Sequence, residues 1–320
     1  MTAEPKISIV IVNYNTTGHV RKCLNSISCH LNSGFAETIV VDNNSSDRSI
    51  EDLSNQFEDA VFLFRDKNDG FGNGCNAGVE LAKSDCLLFM NPDVELIDNS
   101  VEILMRHLEL DDHTGAVSGV MKNESGNPIY FYNCFPSLKW ELYQILGFGF
   151  DREIKRLNSR IEIAENKSFE VDWFHGAFIM MRKSDFEAAG KFNEQYFMYY
   201  EDVELCYKIK KNLNKQILCI PKVSYFHETK SSVSGDSIDN IYTFHLNRSK
   251  LLFIRNYGFL KRSLMYSAGL IYVISRLVVL PVWRKYKEKK MLKAVQLLKI
   301  LKLYLNKEFL ENSKFEYISA

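Results

Sequence analysis

The chain has 320 residues with 40 Lys+Arg against 40 Asp+Glu, so its formal net charge is zero. It is 46% hydrophobic, 25% charged and holds only 6 Pro, which excludes a disordered, collagen-like or disulfide-stapled class and leaves about two globular units, or one large unit with an appendage. The seven cysteines (23, 29, 75, 86, 134, 206, 219) are scattered and never form a Cys-x-x-Cys pair, so a reducing compartment is expected rather than a disulfide framework or a zinc site.

The N-terminal apolar run is too short for a secretion signal, and the expectation is a cytoplasmic protein. Short β-branched runs at Ile7–Val12, Thr38–Val41, Val61–Phe64 and Cys86–Met90 predict strands, with helices near 17–31, 46–57 and 74–83 between them. Four apolar strands separated by helices imply an α/β, Rossmann-like, mostly parallel sheet covered on both faces. A second block, 115–235, predicts strands at Ala116–Val120, Phe178–Met181 and Gln216–Ile220 and a helix over Val203–Lys211. The stretch 237–310 reads as almost wholly helical and cationic.

Ligands of such sheets bind beyond the C-terminal strand ends, and the unusual polar residues of this sequence follow those ends. Asn13, Tyr14 and Asn15 follow the first strand. Asp42, Asn43, Asn44 and Ser45 follow the second; Asp42 can accept hydrogen bonds from a nucleoside or cap the next helix, although Ser46 with Asp47 can supply that cap. The segment Asn68–Gly78, with Gly70, Phe71, Gly72 and Asn76, carries four glycines and three asparagines, which suits a backbone approaching a ligand closely, and it is not the dinucleotide fingerprint. Asn91-Pro92-Asp93 offers a carboxylate beyond the fourth strand, either as a ligand for a hard divalent cation or as a turn.

Further along, His175, in Trp173-Phe174-His175-Gly176-Ala177, is one of two histidines that are candidates for the cleft. Glu201 and Asp202 open a helix after the aromatic stretch Tyr196–Tyr200, so they serve either as a dipole-stabilised first turn or as a general base under an apolar wall. His227, near Lys230, is a structural or exposed histidine or a ligand for manganese.

Taken as a set, Ser8–Asn15, Val41–Asp47, Asn68…Gly70-Phe71-Gly72-Asn73-Gly74…Asn76…Gly78, Asn91-Pro92-Asp93, Gly176-Ala177 and Tyr200–Leu205 resemble the family 2 glycosyltransferases, and most of all the bacterial rhamnosyltransferases of O-antigen and cell-surface polysaccharide assembly. The resemblance covers residues 6 to about 230. It implies a GT-A fold over 1–235, with a nucleotide-binding half to about 115, and a helical region 236–320. It further implies that Asn13, Asn15, Asp42, Asn44, the 68–78 segment and Asn91 hold a nucleotide-sugar donor. Asp93 stands at the last position of the family's Asp-x-Asp metal motif, whose first position is here Asn91, one negative ligand fewer. With His227 it would hold Mg2+ or Mn2+. Asp202, beside Glu201, stands where the base that deprotonates the acceptor sits, and Trp173, His175, Gly176 and Ala177 would line the acceptor side. The implied reaction is an inverting displacement, with L-rhamnose from dTDP-rhamnose as the favoured donor and UDP-hexoses or UDP-galactofuranose as alternatives. A silent glycan- or sugar-nucleotide-binding protein is the competing class.

Residues 248–302 hold 14 Lys/Arg and one acid. Within them 264–282 is an apolar stretch interrupted by Arg276 and Pro281, flanked by Arg255, Lys261 and Arg262 and by Arg284, Lys285, Lys287, Lys289 and Lys290. That pattern suits a helix lying on an anionic membrane surface that delivers a lipid-linked or glycan acceptor, peripheral to the inner face of the plasma membrane. A homodimer interface or a buried helix with a solvated basic face is the alternative, and no nucleic-acid-reading motif accompanies the charge.

Overall fold

The computed structural model describes residues 4–47, 49–129, 132–147, 149, 152, 155, 156, 159–161, 167–228, 236–282 and 290–312. Lys230, Arg284, Lys285, Lys287 and Lys289 lie outside the described residues.

The first half follows the order anticipated from the sequence: β1 (Ile7–Asn13), α1 (Thr17–His30), β2 (Ala36–Asp42), α2 (Ser49–Ser54), β3 (Ala60–Phe64), α3 (Phe71–Val79) and β4 (Cys86–Met90). All seven residues of β1 are buried, as expected of a strand covered on both faces. Strands β2 and β4 flank it in parallel, and β3 extends the sheet beyond β2. Helix α2 is shorter than the 46–57 expected. Its first turn is capped by Asp47, which accepts from Ser49 N (3.0 Å) and Oγ (2.6 Å), whereas Ser46 N donates to Asn15 Oδ1.

The second half is mixed rather than parallel. Three elements, β5 (Val94–Leu96), α4 (Ser100–Leu110) and β6 (Thr114–Lys122), lead to β7 (Tyr132–Asn133), α5 (Leu138–Leu146), β8 (Phe169–Glu170) and β9 (Trp173–Phe174). Then come β10 (Phe178–Arg182), α6 (Lys183–Ala188), α7 (Glu201–Asn212) and β11 (Gln216–His227). The sheet order is β3-β2-β1-β4-β10-β6-β11-β5, with β8 also on β11. Strand β10 inserts antiparallel between β4 and β6, and β5 is antiparallel to β11.

Strand β11 runs seven residues beyond the Ile220 limit expected, across Pro221. Its pairing with β6 shifts between Cys219 and Ser224, a bulge of the kind that tolerates a proline within a strand. Gly119 lies opposite, where a Cβ would overlap the Val223 backbone. Past the bulge, His227 pairs with Val94 of β5.

The described residues divide into two compact units: Met1–Phe135 with Leu157–Glu194 and Glu201–Ser232, and Pro136–Arg156 with Gln195–Tyr200 and Val233–Ala320. The second unit is helical, with α5, α8 (Asp236–Phe253), α9 (Phe259–Val279), α10 (Lys290–Leu305) and α11 (Lys307–Asn312). Inside it Lys250 and Glu141 form a buried ion pair at 3.0 Å, and fully buried Arg248 donates to the carbonyls of Gln195 and Glu311 at 2.9 Å each. The aromatic stretch before Glu201 is part of this unit. Phe197 packs on His245, Tyr199 on Tyr242 and Tyr200 on Phe253. Tyr199 and Tyr200 both hold positive φ (65° and 71°), which bulky residues seldom adopt, and Ser249 Oγ fixes the preceding Met198 carbonyl at 2.9 Å.

Candidate active site

All the sequence-expected site residues fall in the first unit. At the ends of β1 and β2, Asn13 and Asp42 are buried and joined, Asn13 Nδ2 donating to Asp42 Oδ1 at 2.7 Å. Asp42 also accepts from Ser45 N (2.9 Å) and Ser45 Oγ (2.6 Å), so its carboxylate organises the turn after β2 and does not cap α2. Asn15 and Asn44 take positive φ, 56° and 60°, which asparagine tolerates, and Asn15 Oδ1 holds Ser46 N at 2.8 Å. Asn43 Nδ2 reaches the Gly70 carbonyl at 3.0 Å, and Asn68 Oδ1 accepts from Gly70 N at 3.1 Å, which ties the second strand end to the third.

The 68–78 segment is not an open loop: the helix α3 starts at Phe71. Gly70 turns the chain with φ 106°, and the later glycines pack the helix against β1. A Cβ on Gly74 would lie 2.7 Å from Val12 Cγ1 and one on Gly78 2.6 Å from Val10 Cγ1. Asn76 anchors α3 to the segment before α7. Its amide is engaged on both sides by Phe192, donating to the carbonyl at 2.8 Å and accepting from the N–H at 3.1 Å. Gly72 faces Phe192 and the Glu201 side chain, and the Phe71 ring meets Phe192 edge-on at 6.0 Å.

The turn Gly176-Ala177 joins the remaining elements. Its Gly176 N–H donates to Asp202 Oδ2 at 2.8 Å, while the Ala177 carbonyl accepts from Asn91 N at 2.9 Å. Two residues after Asn91, Asp93 Oδ1 lies 3.4 Å from His227 Nε2, and Glu228 N donates to the Asp93 carbonyl at 3.1 Å. A Cβ on Gly176 would sit 3.3 Å from the Phe71 ring and 3.4 Å from Asp202 Cβ. Asp202 and Phe71 therefore meet at Gly176 with Asn91 bonded to the next residue, beyond β4 and beside the N-terminus of α7, and the Asp93–His227 pair begins two residues after Asn91. Trp173 and His175 stack at 5.3 Å, and Trp173 Nε1 donates to the Cys134 carbonyl at 3.0 Å.

Burial sets the charge states. It pushes the Asp202 carboxyl above the ordinary range, opposed by the N–H groups of Gly176 and Val203. Glu201 is 7% exposed, with Oε2 buried and without a hydrogen-bond partner; burial and the Asp202 charge raise it further still. His175 is pushed down to about 4 by burial and the charge of His227, so it is a neutral imidazole at pH 7. His227 is lowered by burial, with the Asp93 charge opposing, and its Nδ1 is buried without a partner.

Asp93 and His227 make an oxygen–nitrogen pair, and among the described residues no group of three or more His, Cys, Asp or Glu is poised for a metal. Such a pair fits a divalent cation that takes most of its ligands from a diphosphate and water.

Comparison with known proteins shows the family and the fold. The family model for glycosyl transferase family 2 matches residues 8–189, more than half of the chain. The low-salt glycan biosynthesis hexosyltransferase Agl10 of Haloferax volcanii is 29% identical over 213 residues, 65% of this chain and 63% of that protein. The N-acetylglucosaminyl-diphospho-decaprenol L-rhamnosyltransferase of Mycobacterium tuberculosis is 24% identical over 298 residues, 89% of this chain and 96% of that protein. Among solved structures, GalNAc-T7 with UDP, GalNAc and Mn2+ superposes with a TM-score of 0.63 at 13% identity, covering 99% of this chain and 59% of that one. The mannosyltransferase PcManGT of Pyrobaculum calidifontis with GDP-Man and Mn2+ gives 0.56 at 13%, covering 96% and 89%. At those identities the structures establish the fold, which is GT-A.

Proposed function

We propose, starting from the fact that this chain belongs to glycosyl transferase family 2, that it moves a sugar from a nucleoside diphosphate to an acceptor hydroxyl with inversion at the anomeric carbon. The observation that carries this reading is the Gly176-Ala177 turn, bonded on one side to Asp202 and on the other to Asn91.

Asp202 accepts the acceptor's proton on its carboxylate as the hydroxyl oxygen bonds to the anomeric carbon, and the bond to the diphosphate oxygen breaks. The Gly176 and Val203 N–H groups hold both oxygens of Asp202, which fixes its orientation toward that hydroxyl. Asp93 and His227 would hold a divalent cation, and such an ion supplies neutralisation of the charge gathering on the leaving diphosphate. Asp42 and Asn13, with Asn15, Asn44, Asn68 and Asn91, would receive the nucleoside and diphosphate. Trp173 and neutral His175 offer a stacked face for the acceptor sugar.

The favoured donor is dTDP-L-rhamnose and the favoured acceptor a glycan or polyprenyl-diphosphate-linked sugar of cell-surface polysaccharide synthesis, supported by the likeness to the mycobacterial rhamnosyltransferase. UDP-hexoses and UDP-galactofuranose are the alternative donors. Exposed apolar residues on α9 support association of the C-terminal helices with the inner membrane face. Phe259–Val282 is long and apolar enough by length and composition to cross a bilayer, with 28% of its most apolar stretch buried. A panel of nucleotide sugars, measured for binding and hydrolysis with and without Mn2+ or Mg2+, tests the reading. A metal-enhanced preference for dTDP-rhamnose supports it. Binding without any hydrolysis or transfer would make the chain a sugar-nucleotide binder instead.

A further inference from the structure

In the helical unit, the end of α8 and the turn after it, the N-terminal half of α9, the end of α10 and α11 surround a half-open cavity of about 570 Å3. Its floor is apolar: Leu251, Ile254, Leu303 and Leu310 are each at most 7% exposed. Its polar wall is cationic. Arg255, Arg262 and Lys307 line it, and no acid does. The acid bonded to this group is Glu311, 3.4 Å from Arg255 and 3.9 Å from Lys307. The side chain of Arg262 has no ion pair or hydrogen bond among the described residues, and the hydroxyls of Ser263 and Ser267, also in the lining, are likewise unbonded there. One carboxylate is thus shared by two cations and the third has none, an arrangement that a bound anion would balance.

The same cavity opens onto an apolar stripe. On α9, Leu260, Leu264, Ser267 and Ile271 are spaced four, three and four residues apart, so they run along one face of the helix. The three apolar members are 72%, 47% and 56% exposed, and Ser267 between them lines the cavity. From α10, Leu305 lines the cavity too and is 70% exposed. A ligand lodged here meets cations, free hydroxyls and leucines in one space, and an apolar chain leaving it passes over Leu305 or Leu264. That combination suits an anionic head with a tail attached and exceeds what a bare anion needs.

We propose that this cavity holds the phosphate of an anionic lipid, with Arg262 as its main cationic contact and the first carbons of the tails on the leucine floor. The site rests on the membrane part of the function proposed above and deepens it. Donor turnover is measured without lipid, so the two readings fail separately.

The test titrates the full chain calorimetrically with dihexanoyl lipids at concentrations where they are monomers, which removes any bilayer surface. Dihexanoyl phosphatidic acid binds at least about tenfold more tightly than dihexanoyl phosphatidylcholine, whose head has no net charge, and than glycerol 3-phosphate, which has the anion without the tails. Arg262→Gln weakens phosphatidic acid binding about fivefold, the worth of one basic contact. Leu305→Ser, at an exposed position, weakens it about threefold and leaves glycerol 3-phosphate binding unchanged. Lys302→Gln, at the same end of α10 but outside the lining, changes it less than about twofold, which separates a built site from diffuse attraction. Unchanged circular dichroism of the variants shows that the losses are not unfolding. Equal losses for Arg262→Gln and Lys302→Gln, or equal affinity for the two lipids, overturn the proposal. So does glycerol 3-phosphate binding as tightly as phosphatidic acid, since that would make the cavity a site for a free anion.

Discussion

The backbone N–H of Gly176 donates to Asp202 Oδ2 at 2.8 Å, and that bond links the turn after β9 to the first turn of α7. The same turn bonds Asn91, so displacing it moves the acid site and the Asn91-Pro92-Asp93 segment together. Gly176→Ala puts a Cβ 3.3 Å from the Phe71 ring and 3.4 Å from Asp202 Cβ, tighter than or at the limit of ordinary contact. The expected outcome is a loss of turnover of about tenfold or more, with a smaller change in donor Kd. Steady-state kinetics beside calorimetric donor binding checks the split.

The acid limb of kcat/KM reports the free enzyme's base. Burial raises Asp202, so that limb lies above the value of about 3.9 for an ordinary aspartate. Glu201 is raised further and keeps its proton while Asp202 loses its own. Glu201→Gln therefore leaves the acid limb where it is. A downward shift in the variant's pH–rate profile would mean that Glu201 is charged when Asp202 titrates.

The same burial has a consequence for stability. A carboxyl whose folded pKa exceeds its unfolded one holds a proton that the unfolded chain has released, so stability falls as pH rises between the two values. Below the unfolded value of about 4.3 both states are protonated and nothing is lost. Glu201→Gln, which removes a buried acid with an unpartnered Oε2, is expected to raise Tm at pH 8 and to leave it nearly unchanged at pH 4.5. Each kcal/mol recovered corresponds to roughly 2–4 °C for a domain of this size. Thermal denaturation at the two pH values measures it.

His227→Ala and Asp93→Asn are expected to reduce the gain in donor affinity that Mn2+ confers. The expected reduction is at least the roughly 10–100-fold that loss of a supporting partner costs at metal sites. Donor binding measured in chelator is unchanged in both variants. Titrating Mn2+ into the donor complex gives the comparison.

Gly78→Ala tests the packing of α3 on β1. The added Cβ would meet Val10 Cγ1 at 2.6 Å and Val41 Cγ2 at 3.1 Å inside a sheet with no slack. Overpacking of that kind costs about 1–3 kcal/mol, seen as a lower denaturation midpoint with an unchanged m-value.

The first four strands were legible as short apolar runs set between helical patterns, with Thr38–Val41 β-branched throughout and Ile7–Val12 except at Ser8. The convergence of Asn13, Asp42, Asn68 and Asn91 on one sheet edge followed from strand order alone. The partnership of Asp93 with His227 did not. It depends on a three-residue strand, β5, too short to leave a periodic signal, and on β11 passing Pro221 through a bulge that only Gly119 on the neighbouring strand permits. Pro221 instead reads as the end of a strand. The ring partners of Phe197, Tyr199 and Tyr200 lie more than 40 residues later, in α8, and no local pattern announces them. The bonds of the Asn76 amide to the Phe192 backbone, 116 residues away in sequence, were likewise not legible, because a polar amide among glycines carries no signal of its distant partner.

The most direct measurement is made on Asp202→Asn, comparing donor affinity with single-turnover transfer at saturating acceptor. The account predicts donor affinity within about twofold of wild type and a transfer rate lower by roughly 10²–10⁴, the usual worth of a positioned general base. Transfer at the wild-type rate, with the donor bound normally, would contradict it.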